Sequence, residues 1–156
     1  RGQEQKNVHK SSWASGGSAA YNKKIWQSLG GFDKLFHPFY WEDVDLSYRA
    51  IKAGYNILWE PRARVKHQHE TTIKKFFKQR YIRWIQQRNQ LLFIWKNISD
   101  KKLLLEHKLA LIKRLCSMGL GYWVPFIWAL SKLPSIKKCN SCEILSDQRA
   151  IGYVNS

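Results

Sequence analysis

The stretch "HPFYWEDVDLSYRAIKAGY", residues 37–55, poses the central question of this chain. A run of aromatics leads into adjacent carboxylates, Glu42 and Asp43, with Asp45 two residues later. Val44, Tyr48 and Ile51 fall at i, i+4 and i+7, which predicts a helix with one apolar face. Gly54 predicts its end. Acids in a first helical turn are stabilised by free backbone N–H groups and by the macrodipole. Asp45 precedes Arg49 by four residues, the spacing of a helical ion pair, and is expected to add only a little stability through it. For Glu42 and Asp43 a second reading opens. A sugar ring offers apolar C–H faces to an aromatic ring and hydroxyls to a carboxylate, and Trp41, Glu42 and Asp43 supply both. "DVD" is formally a DxD. A metal-binding DxD sits in a short loop after an apolar strand, and this one lies inside a helix, so it is discounted as a metal motif.

Outward from this helix, "WASGGSAAY" (13–21) reads as a short strand entering a glycine loop. "NKKIWQSLGG" (22–31) reads as a short helix with Ile25, Trp26 and Leu29 on one side and Gly30 and Gly31 as its left-handed exit. "YNILWE" (55–60) reads as a strand stopped by Pro61, and "ARVKHQH" (63–69) as a second extended piece. In that piece His67 and His69 share a face, so alternation alone does not choose between them as a metal ligand. Thr71 to Asn97 reads as one long basic, aromatic helical stretch, and Lys101 to Met118 as another. Leu115 to Ser131 carries no charge and is flanked by Lys113, Arg114 and Lys132. At roughly 17 residues it is at the short limit for a bilayer span. Gly119, Gly121 and Pro125 interrupt it, and its Tyr and Trp residues favour an interfacial position.

The 156 residues carry 27 Lys and Arg against 11 Asp and Glu, a formal net charge of +16. That field favours anionic partners: phosphorylated small molecules, an anionic membrane surface or nucleic acid. Hydrophobic content of 44% supports a real core rather than disorder. The cationic and aromatic residues follow no RNP, zinc-finger or KH pattern, so nucleic acid is not expected as a partner. A non-catalytic basic module, binding membrane or nucleic acid, is the alternative reading. Three cysteines and no secretory signal argue against a disulfide framework and for a reducing compartment. The lone CxxC of Cys139 and Cys142 has no second pair to complete a zinc site.

From Ser15 to His67 the motifs line up in order. A GG loop is followed by LGGFD, then an aromatic and ED-x-DL-x-x-R, then Gly, Pro and V-x-H. This pattern closely resembles the C-terminal half of the catalytic domain of family 2 inverting glycosyltransferases, rhamnosyltransferase-like members among them. "QRNQLLFIWKN" and "LSDQRAI" resemble their tails more loosely. The resemblance implies an α/β fold of GT-A type. Residues 1–70 would form the acceptor-side part of the catalytic domain, and 71–156 a helical, membrane-facing region. Asp43 resembles the catalytic base, Trp41 and Glu42 the residues that hold the acceptor, and Gly16 and Gly17 a loop allowing close approach of donor and acceptor. His67 resembles one ligand of a divalent metal, Mn²⁺ or Mg²⁺. LGGFD reads as architectural, with Asp33 helping to shape the acceptor side. The implied partners are a nucleotide-sugar donor, a glycan or polyprenyl-phosphate-linked acceptor, and the anionic inner face of the cell membrane, where the protein would lie peripherally in the cytoplasm. Neither the nucleotide-binding strands nor a loop DxD occurs in the chain. It is therefore expected to be a fragment lacking the donor-binding half and inactive alone.

Overall fold

Helix α2 (Glu42–Lys52) organises the molecule. The computed structural model describes residues 7–65, 71–117, 119–137 and 144–155. Strand β1 (His9–Lys10) and helix α1 (Lys23–Ser28) precede α2, and strand β2 (Leu58–Trp59) follows it. Then come α3 (Thr71–Phe76), α4 (Gln79–Asn97), α5 (Lys101–Ser117), α6 (Leu120–Ser131) and α7 (Asp147–Ile151). Short 3-10 turns lie at Lys34–Phe36, Leu133–Ser135 and Tyr153–Asn155.

The expected helix forms from Glu42 to Lys52, with Gly54 left-handed just beyond its end. It is buried on more than one side: Tyr48 and Ile51 of the expected face are buried, Val44 is half-buried, and Leu46 is buried on the opposite side. Tyr48 and Ile51 join Ile57, Ile98, Ala150 and Tyr153 in one core cluster, and Phe36, Leu91, Leu92 and Ala129 form another. Burying each such aliphatic or aromatic side chain stabilises the fold by about 1.5–3 kcal/mol. Helix α4 packs along α6 and also against α2.

Asn22 caps α1 through its side chain, which accepts from Lys24 and Ile25 N–H. Gly30 and Gly31 then leave it with positive φ, as expected. At Gly31 glycine is required twice over. Its φ is +64°, and a Cβ there would sit 2.5 Å from the Trp26 ring.

Several expectations are corrected. The α/β expectation meets a mostly helical chain. Among the described residues the only sheet is the antiparallel pair β1–β2, with His9 opposite Trp59 and Lys10 opposite Leu58. Residues 13–21 form no strand. Ser18 N–H bonds Ser15 C=O at 3.1 Å, making a turn across Gly16 and Gly17. The stretch from Thr71 to Asn97 is two helices, because Phe77 and Lys78 leave helical geometry between them. Lys78 is extended, and the Phe77 ring is taken up by Phe39 and Tyr81, with centroids 5.2 and 5.4 Å away. The charge-free run from Leu115 to Ser131 is likewise divided, since Gly119 at φ +61° starts α6 afresh. No helix among the described residues is long and apolar enough to cross a membrane.

Candidate active site

The site residues gather where the loop before α2 meets the glycine turn. On α2, Asp43 and Ser47 are one helical turn apart and share a face. Both accept backbone N–H groups from the segment opposite. Gly16 N–H donates to Asp43 Oδ2 at 3.0 Å, and Ala14 N–H donates to the Ser47 hydroxyl at 3.0 Å. Asp43 Oδ1 accepts Val44 N–H at 2.8 Å. The carboxylate of Asp43 is thus oriented through both oxygens. The sequence-predicted Gly16, Trp41, Glu42 and Asp43 come together, while Gly17 lies exposed in the same turn. A Cβ on Gly16 would meet nothing nearer than Asp43 Cβ at 3.6 Å, and Gly16 is not left-handed. The fold itself therefore leaves room for alanine there.

Glu42 is half-buried, and its Oε2 is buried with no hydrogen-bond partner among the described residues. Burial pushes its carboxyl above the usual glutamate range, opposed by a hydrogen bond from its own backbone N–H and aided by the negative charge of Asp43. Tyr21 stands beside both acids. Burial first, then Asp43 and Glu42, pushes its phenol up, and its O–H donates to Ala14 C=O at 2.8 Å. The half-buried Trp41 ring packs on Phe93, centroids 5.3 Å apart. A cavity of about 910 Å³ opens beside the glycine turn, lined by Ser15, Tyr21 and the indoles of Trp13, Trp26 and Trp59.

The turn that delivers these groups is strained and held from behind. Tyr40 and Trp41 have φ of 69° and 77°, left-handed values that bulky residues rarely adopt. Asn89 of α4, fully buried, locks them in place. Its side-chain N–H₂ donates to the carbonyls of Phe36, Phe39 and Tyr40 at 2.8, 3.0 and 2.8 Å. Arg88 donates to His37 C=O and, at 2.9 and 2.7 Å, to Asn89 Oδ1. Asn89 lies about fifty residues beyond the turn, within "QRNQLLFIWKN", and nothing in that stretch says which carbonyls it meets.

Asp45 departs most from its sequence reading. It is 0% exposed and binds far more than Arg49. Arg49 Nε reaches its Oδ2 at 2.8 Å, Lys96 Nζ its two oxygens at 2.8 and 3.0 Å, and Asn97 Nδ2 its Oδ1 at 2.8 Å. Lys96 also meets Asp33 at 2.6 Å, and Arg49 donates to Leu29 C=O and to Gly31 C=O at 2.8 Å. Burial would raise the Asp33 carboxyl, but the hydrogen bonds from Lys96 and Leu35 N–H outweigh it and hold the group below its usual range. The LGGFD motif is therefore built into a charged core joining α1, α2 and α4. Asp147 makes a second such centre. It accepts from Tyr48 O–H at 2.7 Å, Lys52 Nζ at 2.8 Å, and Ser99 and Asp100 N–H at 2.7 Å each. Residues on both sides of position 70 share these bonds.

Asp45 is thus fully engaged and unavailable to a cation, consistent with discounting its DxD. Among the described residues no group of three His, Cys, Asp or Glu could hold a metal ion. His67 and His69, and Cys139 and Cys142, lie outside the described residues.

The family model described as "Glycosyl transferase family group 2" matches residues 3–140. The chain belongs to this family. The O-antigen chain rhamnosyltransferase WbaN of Salmonella anatum is 38% identical over 72 residues, covering 46% of this chain and 22% of that protein. The O-antigen chain rhamnosyltransferase RfbN of Salmonella typhimurium is 33% identical over 72 residues, with the same coverage. A pre-mycofactocin glycosyltransferase of Mycobacterium tuberculosis is 44% identical over 48 residues, 31% of this chain and 10% of that protein. The chain thus matches about a fifth or less of the length of these relatives. No solved structure matches it. This family 2 chain carries its Glu42–Asp43 pair at the start of α2, directly after a turn that its own later helix holds in place.

Proposed function

We propose that this chain supplies the acceptor side of an inverting glycosyltransferase, with Asp43 as the base that takes the proton from the acceptor hydroxyl. The donor is a nucleotide sugar. The acceptor is a glycan or a polyprenyl-phosphate-linked glycan, in the synthesis of cell-surface polysaccharide. One observation carries the reading. Two carboxylates stand side by side at the start of α2, directly after the strained Tyr40–Trp41 pair, one held through both oxygens and the other with a buried oxygen that has no hydrogen-bond partner among the described residues. Leaving a buried acceptor unsatisfied costs stability, and an acceptor hydroxyl bound there would satisfy it. In inverting transfer the acceptor oxygen attacks the anomeric carbon opposite the leaving nucleoside diphosphate, so a base must stand on the acceptor side. Glu42 accepts a second acceptor hydroxyl. The exposed indoles of Trp13 and Trp59 and the half-buried Trp41 offer faces for sugar rings. Gly16 and Gly17 keep the opposite wall free of side chains.

A divalent ion, Mn²⁺ or Mg²⁺, with His67 among its ligands, belongs to the same proposal. It would stabilise charge on the leaving diphosphate. The described residues do not by themselves assemble its site, and the base step at Asp43 stands without it. The protein lies on the cytoplasmic face of the membrane. Supporting this, α5 presents Leu105, Leu109 and Ile112 outward and α6 presents Trp123, Ile127 and Leu130, amid a strongly basic chain. Nucleic acid is not among the proposed partners.

The test is Asp43→Asn in the active enzyme. Turnover should fall by roughly two to four orders of magnitude, the usual worth of a general base. Unchanged turnover would remove Asp43 from the role.

A further inference from the structure

A second cavity, of about 1010 Å³, sharing only Leu29 with the first, opens between the Gly30–Leu35 segment, α4 and α6. Its lining is cationic. Lys34, Arg88, Lys132 and Lys137 face it together with Arg49 and Lys96, and Asp33 is the one carboxylate. Arg49 and Lys96 are neutralised by Asp45 and Asp33. The other four cations have no carboxylate partner among the described residues.

Arg88 is the unusual member. It is 2% exposed, and a buried charge ordinarily has a counter-ion. Its guanidinium stacks 4.3 Å from the centroid of the Trp128 ring, which fixes its plane. Of its five N–H donors, those on Nε and Nη2 are spent on Asn89 and on His37 C=O. The two on Nη1 make no hydrogen bond among the described residues. Burial pushes this guanidinium down from the usual arginine range, a direction that a bound anion would reverse. The structure therefore presents an immobilised guanidinium whose Nη1 group alone is left to donate, at the floor of a cavity with exposed lysines in its lining.

We infer that this cavity is a phosphate-ester site, in which Arg88 Nη1 and the ammonium groups of Lys34, Lys132 and Lys137 hold a phosphate or diphosphate group. An N–H of the remaining Nη1 group can give a phosphate oxygen a charge-assisted hydrogen bond, and lysines add charge without demanding a fixed geometry. Phe77, Tyr81 and Trp128 make the remaining wall apolar, which suits the first carbons of whatever the phosphate is esterified to. The site is separate from Asp43. It draws on the transferase reading only for one of its two ligand sources, a lipid-borne diphosphate, the other being a soluble diphosphate ester.

Calorimetric titration of the full chain with inorganic diphosphate and with farnesyl diphosphate tests this. Saturable binding of one diphosphate per chain is expected. The double variant Lys34→Ala, Lys132→Ala, altered only at exposed positions, should bind about tenfold or more weakly, the scale of losing charge-assisted hydrogen bonds. Asp43→Asn should bind like the wild type, so that failure of the base assignment and failure of this site are told apart. Farnesyl diphosphate binding at least tenfold tighter than inorganic diphosphate assigns the site to a lipid-borne headgroup, and a smaller difference assigns it to a soluble ester. No saturable binding of either probe, or equal affinity in the double variant, overturns the inference.

Discussion

The turn before α2 and the outer faces of α5 and α6 solve opposite problems. Around the turn, polar groups lie inside: Asp45, Arg88, Asn89 and Lys96 are all buried. On α5 and α6 apolar groups lie outside, with Leu109 62% and Ile127 58% exposed. Buried polar groups are costly unless bonded, so they fix one geometry where they are bonded from several sides. Exposed apolar stripes fix nothing inside the chain and cost little where they stand. Precision is concentrated where a strained backbone must hold two carboxylates, and the unpartnered apolar surface lies where the proposal places the membrane.

The contrast breaks most visibly at Asp45. Asp45→Asn leaves Arg49 and Lys96 buried with less compensating charge, and should destabilise the fold by about 3–5 kcal/mol in urea unfolding. A loss below about 1 kcal/mol would return Asp45 to the simple helical pair that its spacing suggested. Asn89→Ala comes next. It strips donors from three carbonyls and should cost about 1–3 kcal/mol while lowering transfer by the active enzyme, because Tyr40 and Trp41 are freed to relax. Full activity in a destabilised Asn89→Ala protein would separate the turn from catalysis.

Acid sharpens the comparison further. Burial alone would raise the Asp147 carboxyl, but bonds from Lys52, Tyr48 and the N–H groups of Ser99 and Asp100 hold it well below the usual range. A depressed carboxylate contributes stability that is present above its unfolded value, about 3.9, and is lost as pH falls through the folded value. Melts between pH 5 and pH 2 should therefore show a shallower acid loss in Asp147→Asn than in the wild type. Parallel curves would mean that Asp147 is not a source of the acid sensitivity. The smallest effect on stability is expected on α5. Leu109→Ser should change it by no more than about 0.5 kcal/mol. It should still weaken flotation with anionic vesicles, and that flotation should weaken as salt rises. Unaltered flotation would leave the α5 stripe without its proposed role.

The sequence showed α2 well because a helix is written in its own residues: the i, i+4, i+7 face, the acids at its start and Gly54 after its end. The strand read at 55–60 contains β2, but the one read at 13–21 does not form, since a strand needs a partner and these residues pair with no strand among the described residues. The helix breaks at Phe77 and Gly119 arise from packing and from one left-handed residue inside runs that otherwise read as continuous. At the site, the resemblance brought Asp43, Glu42, Trp41 and Gly16 together, and in the structure the glycine turn of Gly16 meets the start of α2 through the Gly16 N–H to Asp43 bond. Asn89 and Lys96, about fifty residues away, were invisible as its supports, because nothing in the spacing of a distant helix announces which carbonyl or carboxylate it meets. Tyr21 was missed for the same reason.

Measuring Asp43→Asn and Asp45→Asn side by side, for turnover and for unfolding midpoint, tests the account most directly. Asp43→Asn should keep a midpoint within about 1 kcal/mol of the wild type while transfer falls by roughly two to four orders of magnitude. Asp45→Asn should lose its midpoint first, with activity following the folded fraction. Wild-type transfer by Asp43→Asn, or abolished transfer by a fully folded Asp45→Asn, would contradict the account by showing that the wrong carboxylate has been given the proton.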